Sequence, residues 1–360
     1  MPADQSEDGR TTYTRPFVDP PHSVVQDGKF VFGCFNQPPV VANMLDVHLP
    51  YHYPVPRWVK KFRCKEWVAF QFGNERWFFF ALLFEAKSLS MAQFSAWDRE
   101  RGKLHEFRHV WPLANFNIGE RLEGHTIGCR SVRHSLRASF DLAAGSMTVD
   151  ALAASSYRHT RFAGSFTFAY NTRQTAPMSA CMPLGLNRAV YSTKVLMPMQ
   201  GWFRVDDERF EFSHQDSMGI IDDHKGYYPY TMHYDWVTGF GRDAKGRRVG
   251  FNLTDNQVKD QYTWNENVLW INSRVFPLPP IRVTRPNGPD QPWHIQDTEG
   301  LVDLVFRPER RNNLKMNMFV LAVDYHGPFG SFEGTLRSPD GEEVDAKGLF
   351  GMGEQQYLRA

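Results

Sequence analysis

From Val132 to Leu142 the chain alternates between two kinds of side chain. Val132, His134, Leu136, Ala138, Phe140 and Leu142 fall on one side, and Arg133, Ser135, Arg137, Ser139 and Asp141 on the other. A period of two held over this length is a strand with one face buried, and a helix cannot satisfy it. His134 on the apolar face reads as a hydrogen-bonded core histidine before it reads as a ligand. A turn at 143–146 then sends the chain back through Met147, Val149 and Ala151.

The same style fills the chain. Short β-like segments recur from Lys29–Phe35 through Phe62–Phe72, Leu89–Trp97 and Leu104–Trp111 to Leu301–Arg307 and Phe329–Arg337. Gly73-Asn74, 297–300 and 339–341 are turn signals between them. Trp77–Phe84 is apolar throughout, and its aromatic content favours a strand covered on both faces over a buried helical turn. The proline-rich passage Gln37–Pro56 predicts a long ordered loop or edge. Ala176–Leu186, rich in Met, Pro and Gly, predicts a second loop, and Gly351–Leu358 a short helix. No long amphipathic helix is visible. The expectation is an all-β fold of two antiparallel β-barrels packed together. The divisions are a flexible lead-in at 1–21, a first barrel at 22–180 and a second at 181–360.

Charge excludes some partners. Lys plus Arg number 41 against 40 Asp plus Glu, which argues against nucleic acid. The four cysteines form no C-x-x-C pair, so buried free thiols are expected rather than a metal knuckle or disulfide framework. With no secretory signal and no apolar run of spanning length, the expectation is a cytoplasmic protein without membrane insertion. Glycine-rich nucleotide motifs are absent, and no cofactor is expected. A homo-oligomer is compatible with the sequence.

Chemistry concentrates in Ser217–Gly239, SMGIIDDHKGYYPYTMHYDWVTG. It reads as a strand ending at a rim, an irregular turn lined with ionisable groups, and a return strand. Asp222 and Asp223 are adjacent, so on a strand at most one enters a barrel interior. A carboxyl that goes inward is desolvated and can hold a proton near neutral pH, as a general acid must. The alternative is a solvated turn capping its own backbone. His224 and Lys225 offer a second proton-transfer group or a counter-charge. His233 and Asp235 sit two apart, as an oriented base or as a plain structural pair. Metal-binding spacings are absent, and no metal site is expected. Tyr227, Tyr228, Tyr234 and Trp236 are candidate ligand walls. Asn252–Asn267 is dense in amides and carboxylates and adds Asn256, Tyr262, Trp264, Asn265 and Glu266. Asp324, Tyr325 and His326 end an apolar strand, and Glu354 in GMGEQQY is a further candidate.

Several of these motifs carry a resemblance. IDDHKGYYPYT…DWVTG, VGFNLTDNQ…NENVLW, W-x-I-x-D-x-x-G-L-V-D-L-x-F-x-P-E, DYHGPFGSFEGTL and GLFGMGEQQY resemble a bacterial family of unknown function with a lipocalin-like fold. In architecture that family is similar to carotenoid hydratases (hydroxyneurosporene synthases) and tocopherol cyclases. The resemblance implies two lipocalin-like barrels and an acidic residue that protonates an alkene; here it points to Asp222 or Asp223.

Three functions are therefore open. The first is a cofactor-independent hydratase, isomerase or cyclase on an apolar, terpenoid or lipid-like molecule bound at the barrel mouth. The second is a carrier that holds such a molecule unchanged. The third is a glycoside-active enzyme pairing Asp223 with Glu266 or Asp324, which needs carboxyl groups about 5–10 Å apart across an open cleft.

Overall fold

The computed structural model describes residues 13–114, 116–154, 161–171, 173–185, 187–205, 207–318 and 321–359. Alternation becomes strand where expected: His134–Asp141 pairs with Thr126–Arg130 and Ser146–Ala154. Leu136, Ala138 and Phe140 enter the core. The His134 ring lies over Phe107 at 4.8 Å, and burial holds its pKa below the ordinary value. Val132, outside the strand, is fully exposed.

The fold is all-β, in two curled antiparallel sheets that form two lipocalin-like barrels. Counted over the described residues, the first sheet has 13 strands. Its path runs from Lys103–Pro112 through Leu89–Asp98, Trp77–Glu85, Lys65–Gly73, Met218–Gly226 and Ala189–Val205 to Arg161–Ala169, Ser146–Ala154, His134–Asp141 and Thr126–Arg130. The second has 12 strands, with Thr231–Arg242, Phe350–Arg359 and Phe329–Arg337 at its centre. Each wraps its own core: Phe70, Phe72, Phe79, Phe94 and Phe166 in the first, Phe251, Trp293, Phe306 and Phe332 in the second.

A third apolar layer joins the two sheets, and it explains the apolar run of Trp77–Glu85. Trp77, Phe79, Ala81 and Leu83 point into the first barrel. Phe78, Phe80 and Leu82 point out of it, towards Phe240, Phe329 and Phe350 of the second sheet. Phe78 and Phe329 meet with ring centroids 4.9 Å apart. Such a strand has no solvent face, so it has no polar alternation to show.

Several expectations are corrected. Gly351–Leu358 is not a helix but part of the central strand Phe350–Arg359. Its glycines allow close approach: a Cβ at Gly351 would stand 2.0 Å from the Thr238 carbonyl oxygen. One at Gly353 would stand 2.5 Å from the Trp293 ring. Ala176–Leu186 is not all loop, because Met178–Pro183 pairs with Ala189–Val205. Arg57–Arg63 is a helix with no buried residue, preceded by Pro56. A helix that buries no face leaves no period in the sequence. The lead-in is docked from Tyr13 onward: Arg15 Nη1 and Nη2 donate to the Asn265 and Asn267 carbonyls at 2.7 and 2.5 Å. Residues 1–12 lie outside the described residues. The chain changes sheets at 227–230, and strands on both sides of residue 180 share the first sheet. Cys34, Cys64 and Cys181 are buried free thiols, and Cys129 is half-buried. Among the described residues no helix is long and apolar enough to cross a membrane.

Candidate active site

The Met218–Gly226 strand is buried along its whole length, so Asp222-Asp223-His224-Lys225 lies inside it and not in a turn. Alternation divides these four residues. Met218 and Ile220 face the layer between the sheets, and Asp222 and His224 follow them to the wall of a cavity of about 200 Å³. Ile221 faces the first barrel's core. Asp223 and Lys225 take that other face, where Lys225 Nζ donates to Asp223 Oδ1 at 3.2 Å.

The cavity lies between the barrels rather than in the mouth of either. Trp67, Ala69, Phe80, Leu82, Phe84 and Met91 line it from the first sheet. Met232, Trp236, Val323 and Leu358 line it from the second. Most of this wall is hydrocarbon or aromatic, which suits an apolar ligand.

Its polar groups form two clusters. In the first, Asp222 Oδ1 accepts from Lys194 Nζ at 2.5 Å and Oδ2 from Trp67 Nε1 at 3.0 Å. Burial opposes the Asp222 charge, but Lys194 and His224 outweigh it and hold the carboxyl well below the carboxylate range. Lys194 Nζ also lies 3.6 Å from Glu266 Oε2 and 5.2 Å from the centre of the Trp236 ring. Glu266 Oε1 accepts from Thr254 Oγ1 at 2.8 Å. The His224 ring stacks on Trp67 at 4.0 Å, and its Nε2 is hydrogen-bonded to the Tyr228 hydroxyl. Its Nδ1 is buried without a hydrogen-bond partner, 3.7 Å from Asp222 Oδ1.

Glu354 forms the second. Tyr325 Oη donates to its Oε1 at 2.6 Å and Tyr234 Oη to its Oε2 at 3.2 Å. Both bonds favour the ionised form, yet burial exceeds them and pushes the pKa up to about 7. One wall of the cavity thus carries a carboxylic acid that keeps its proton near neutrality. Another carries a carboxylate that never takes one there. Pairs pushed apart in this way are how a site assigns acid and base roles.

The cavity brings together Asp222, His224, Tyr228, His233, Tyr234, Trp236, Asn256, Glu266 and Tyr325. Other candidates lie elsewhere. Asp223 and Lys225 pair on the far face of their strand. Tyr227 donates to the Met44 carbonyl at 3.2 Å. Asp235 accepts from Arg285 Nη2 at 2.6 Å. Tyr262 is exposed, against Tyr13. Trp264 packs near Phe32. Asn265 bonds Tyr13 and the Gln261 carbonyl. Asp324 and His326 pair with one another at 3.1 Å, outside the cavity. Neither carboxylate pair of the glycoside reading therefore meets in the cavity.

Sequence reasoning passed over Lys194, Trp67 and Arg108. Lys194 left a signal, being a lone charge within AVYSTKVLMPM. A lysine inside a buried strand needs a carboxylate partner. Among the described residues no group of three or more His, Cys, Asp or Glu side chains could hold a metal ion.

No protein of curated function matches the sequence. Solved structures resemble it, two of which follow. Kievitone hydratase from Nectria haematococca shares 12% identity over 81% of this chain and 88% of its own, with a TM-score of 0.47. An ATTH-like protein from Nitrosomonas europaea shares 13% identity over 82% and 92%, with a TM-score of 0.42. Likeness of this degree carries nothing about substrate or mechanism. Residues 18–359 match the model of a family described as a domain of unknown function (DUF2804), and the chain belongs to that family.

Proposed function

We propose that this chain is an acid/base enzyme of the hydratase, isomerase or cyclase type, acting on an apolar small molecule held between the barrels. The carrying observation is Glu354, a buried carboxylic acid with a pKa of about 7 in a largely apolar cavity. Glu354 gives its proton to an alkene carbon. The positive charge that develops faces the Asp222 carboxylate and the rings of Trp67, Trp236 and Tyr228. In hydration, His224 takes a proton from the water that adds, so one water enters the product and the acid is restored by net proton return. In isomerisation or cyclisation, loss of a proton from carbon replaces that water.

Native mass spectrometry with solvent extraction tests this. Molecules that co-purify, and a panel of apolar alkenes, are incubated with the protein in heavy water. A product with deuterium on carbon, with or without one added water, is expected. A bound molecule returned unchanged and unlabelled would make the protein a carrier.

Tyr325 supplies a further check. Tyr325→Phe removes a hydrogen bond that favours ionised Glu354, so the Glu354 pKa is expected to rise, by on the order of one unit. Infrared titration of the buried carboxyl band measures it without a substrate. A downward shift would show that Tyr325 does not act on Glu354 in this way.

A further inference from the structure

Arg108 lines the same cavity, on the Lys103–Pro112 strand opposite Gln93. A guanidinium has five N–H groups and stays charged. Nε donates to Gln93 Oε1 at 3.0 Å and Nη1 to the Asn313 carbonyl at 3.3 Å. Nη2 donates to Asn312 Oδ1. All three acceptors are neutral, and among the described residues one N–H on each terminal nitrogen is left uncommitted.

No carboxylate pairs with Arg108 among the described residues. Glu106, two residues back on its strand, instead accepts from Ser95 Oγ at 3.3 Å. The cavity's other cation, Lys194, already lies between Asp222 and Glu266. Nor is Arg108 a loose surface side chain. Gln93 and Asn312 are only 2% and 5% exposed, and Gln93 Nε2 also donates to Asn312 Oδ1 at 3.1 Å. Gln93 comes from the first sheet, while Asn312 and Asn313 belong to the second-sheet part of the chain. Two buried amides from opposite sides thus fix a cation that has no counter-charge. An oxyanion matches the planar fork, and a charge-assisted bond there is stronger than a neutral one.

We propose that Arg108 anchors one anionic group, a carboxylate or an equivalent oxyanion, on the otherwise apolar molecule that this cavity takes. The proposal rests on the cavity being a ligand site and not on the acid role given to Glu354. It places the charged end of the ligand near Tyr325. Burial holds that phenol well above its ordinary pKa, and the charge of Arg108 pulls it the other way.

Two fluorescent dyes test it: anilinonaphthalene sulfonate, and phenylnaphthylamine, which has the same rings without the sulfonate. Wild type is expected to bind the sulfonate at least about tenfold tighter, with salt weakening only that dye. Arg108→Gln should weaken the sulfonate about ten- to a hundredfold and leave the amine within about twofold. Arg108→Lys, which keeps the charge without the fork, should fall between them. Met91→Trp fills the apolar wall and should abolish both. Equal affinity for the two dyes in wild type, an unchanged preference in Arg108→Gln, or binding that survives Met91→Trp overturns the proposal. An anion preference found while no deuterium is incorporated removes the acid role alone.

Discussion

Glu354→Gln is expected to lower the turnover of the proposed reaction by about 10²–10⁴-fold, the usual worth of a positioned general acid. The amide keeps the shape and polarity of the protonated carboxyl but has no proton of comparable acidity. Ligand affinity should therefore stay near that of wild type, so the loss should appear in kcat rather than in KM. Wild-type activity should fall as pH rises through about 7, where Glu354 loses its proton. A second consequence needs no substrate. The folded pKa is about 7 against an ordinary 4.5, so the folded state binds more protons than the unfolded chain between those values. Stability present below pH 4.5 is then lost as pH rises through about 7. The difference in pKa corresponds to about 3 kcal/mol. Glutamine carries no charge at either pH, so Glu354→Gln should gain on wild type by roughly that amount between pH 4 and 8. Denaturant titrations at the two pH values measure it. If the stability gap opens but turnover is unchanged, the buried acid is real and its catalytic role is not.

The parts of this molecule legible in sequence are those in which one face of an element stays in one environment. His134–Asp141 showed its strand because one side meets core and the other water. Trp77–Phe84 showed a strand covered on both faces, but not that one cover would be the other barrel. Adjacent Asp222 and Asp223 had to part, and they did. Which one meets the cavity depends on where the strand lies between the two sheets, and no local pattern contains that. The acid was harder to find than the carboxylate. Glu354 owes its proton to burial, which exceeds the opposing pull of Tyr325 and Tyr234, residues 29 and 120 positions away. Asp223 looked equally able to hold a proton. Its pKa is indeed raised by burial, with Lys225 opposing, but it faces away from the cavity. Amide density at Asn252–Asn267 divided in the same manner. Asn252 bonds Trp236 and the Glu266 carbonyl. Asn267 bonds the Thr254 amide and the Pro279 carbonyl. Only Glu266 and Asn256 of that stretch's candidates reach the cavity.

Lys194→Met is expected to destabilise the fold by about 3–5 kcal/mol at pH 7, the range for leaving a buried ion-pair partner uncompensated. Lys194 is 1% exposed, and its removal strands Asp222 and Glu266 together. Burial alone would lower the lysine's pKa, but these two carboxylates outweigh it and raise it. Asp222 would keep the Trp67 N–H at 3.0 Å and lose its cation. Its pKa should then climb above the ordinary carboxylate value, because burial, the largest influence on it, is opposed by His224 without Lys194. The sign of the pH dependence follows. In wild type the folded Asp222 pKa is depressed, so the stability it adds is present above the unfolded value and lost only in strong acid. In the variant the folded pKa is raised, so stability falls as pH rises through it. The gap between the two proteins should therefore be widest near neutrality and narrow towards pH 4. Adding Asp222→Asn to Lys194→Met removes one stranded charge and should recover part of the loss, a coupling that a double-mutant cycle reads directly. If Lys194→Met costs less than about 1 kcal/mol at pH 7, within the range of an exposed pair, the Asp222 carboxylate is not held by Lys194. It could then take up a proton and compete with Glu354 for the role of acid.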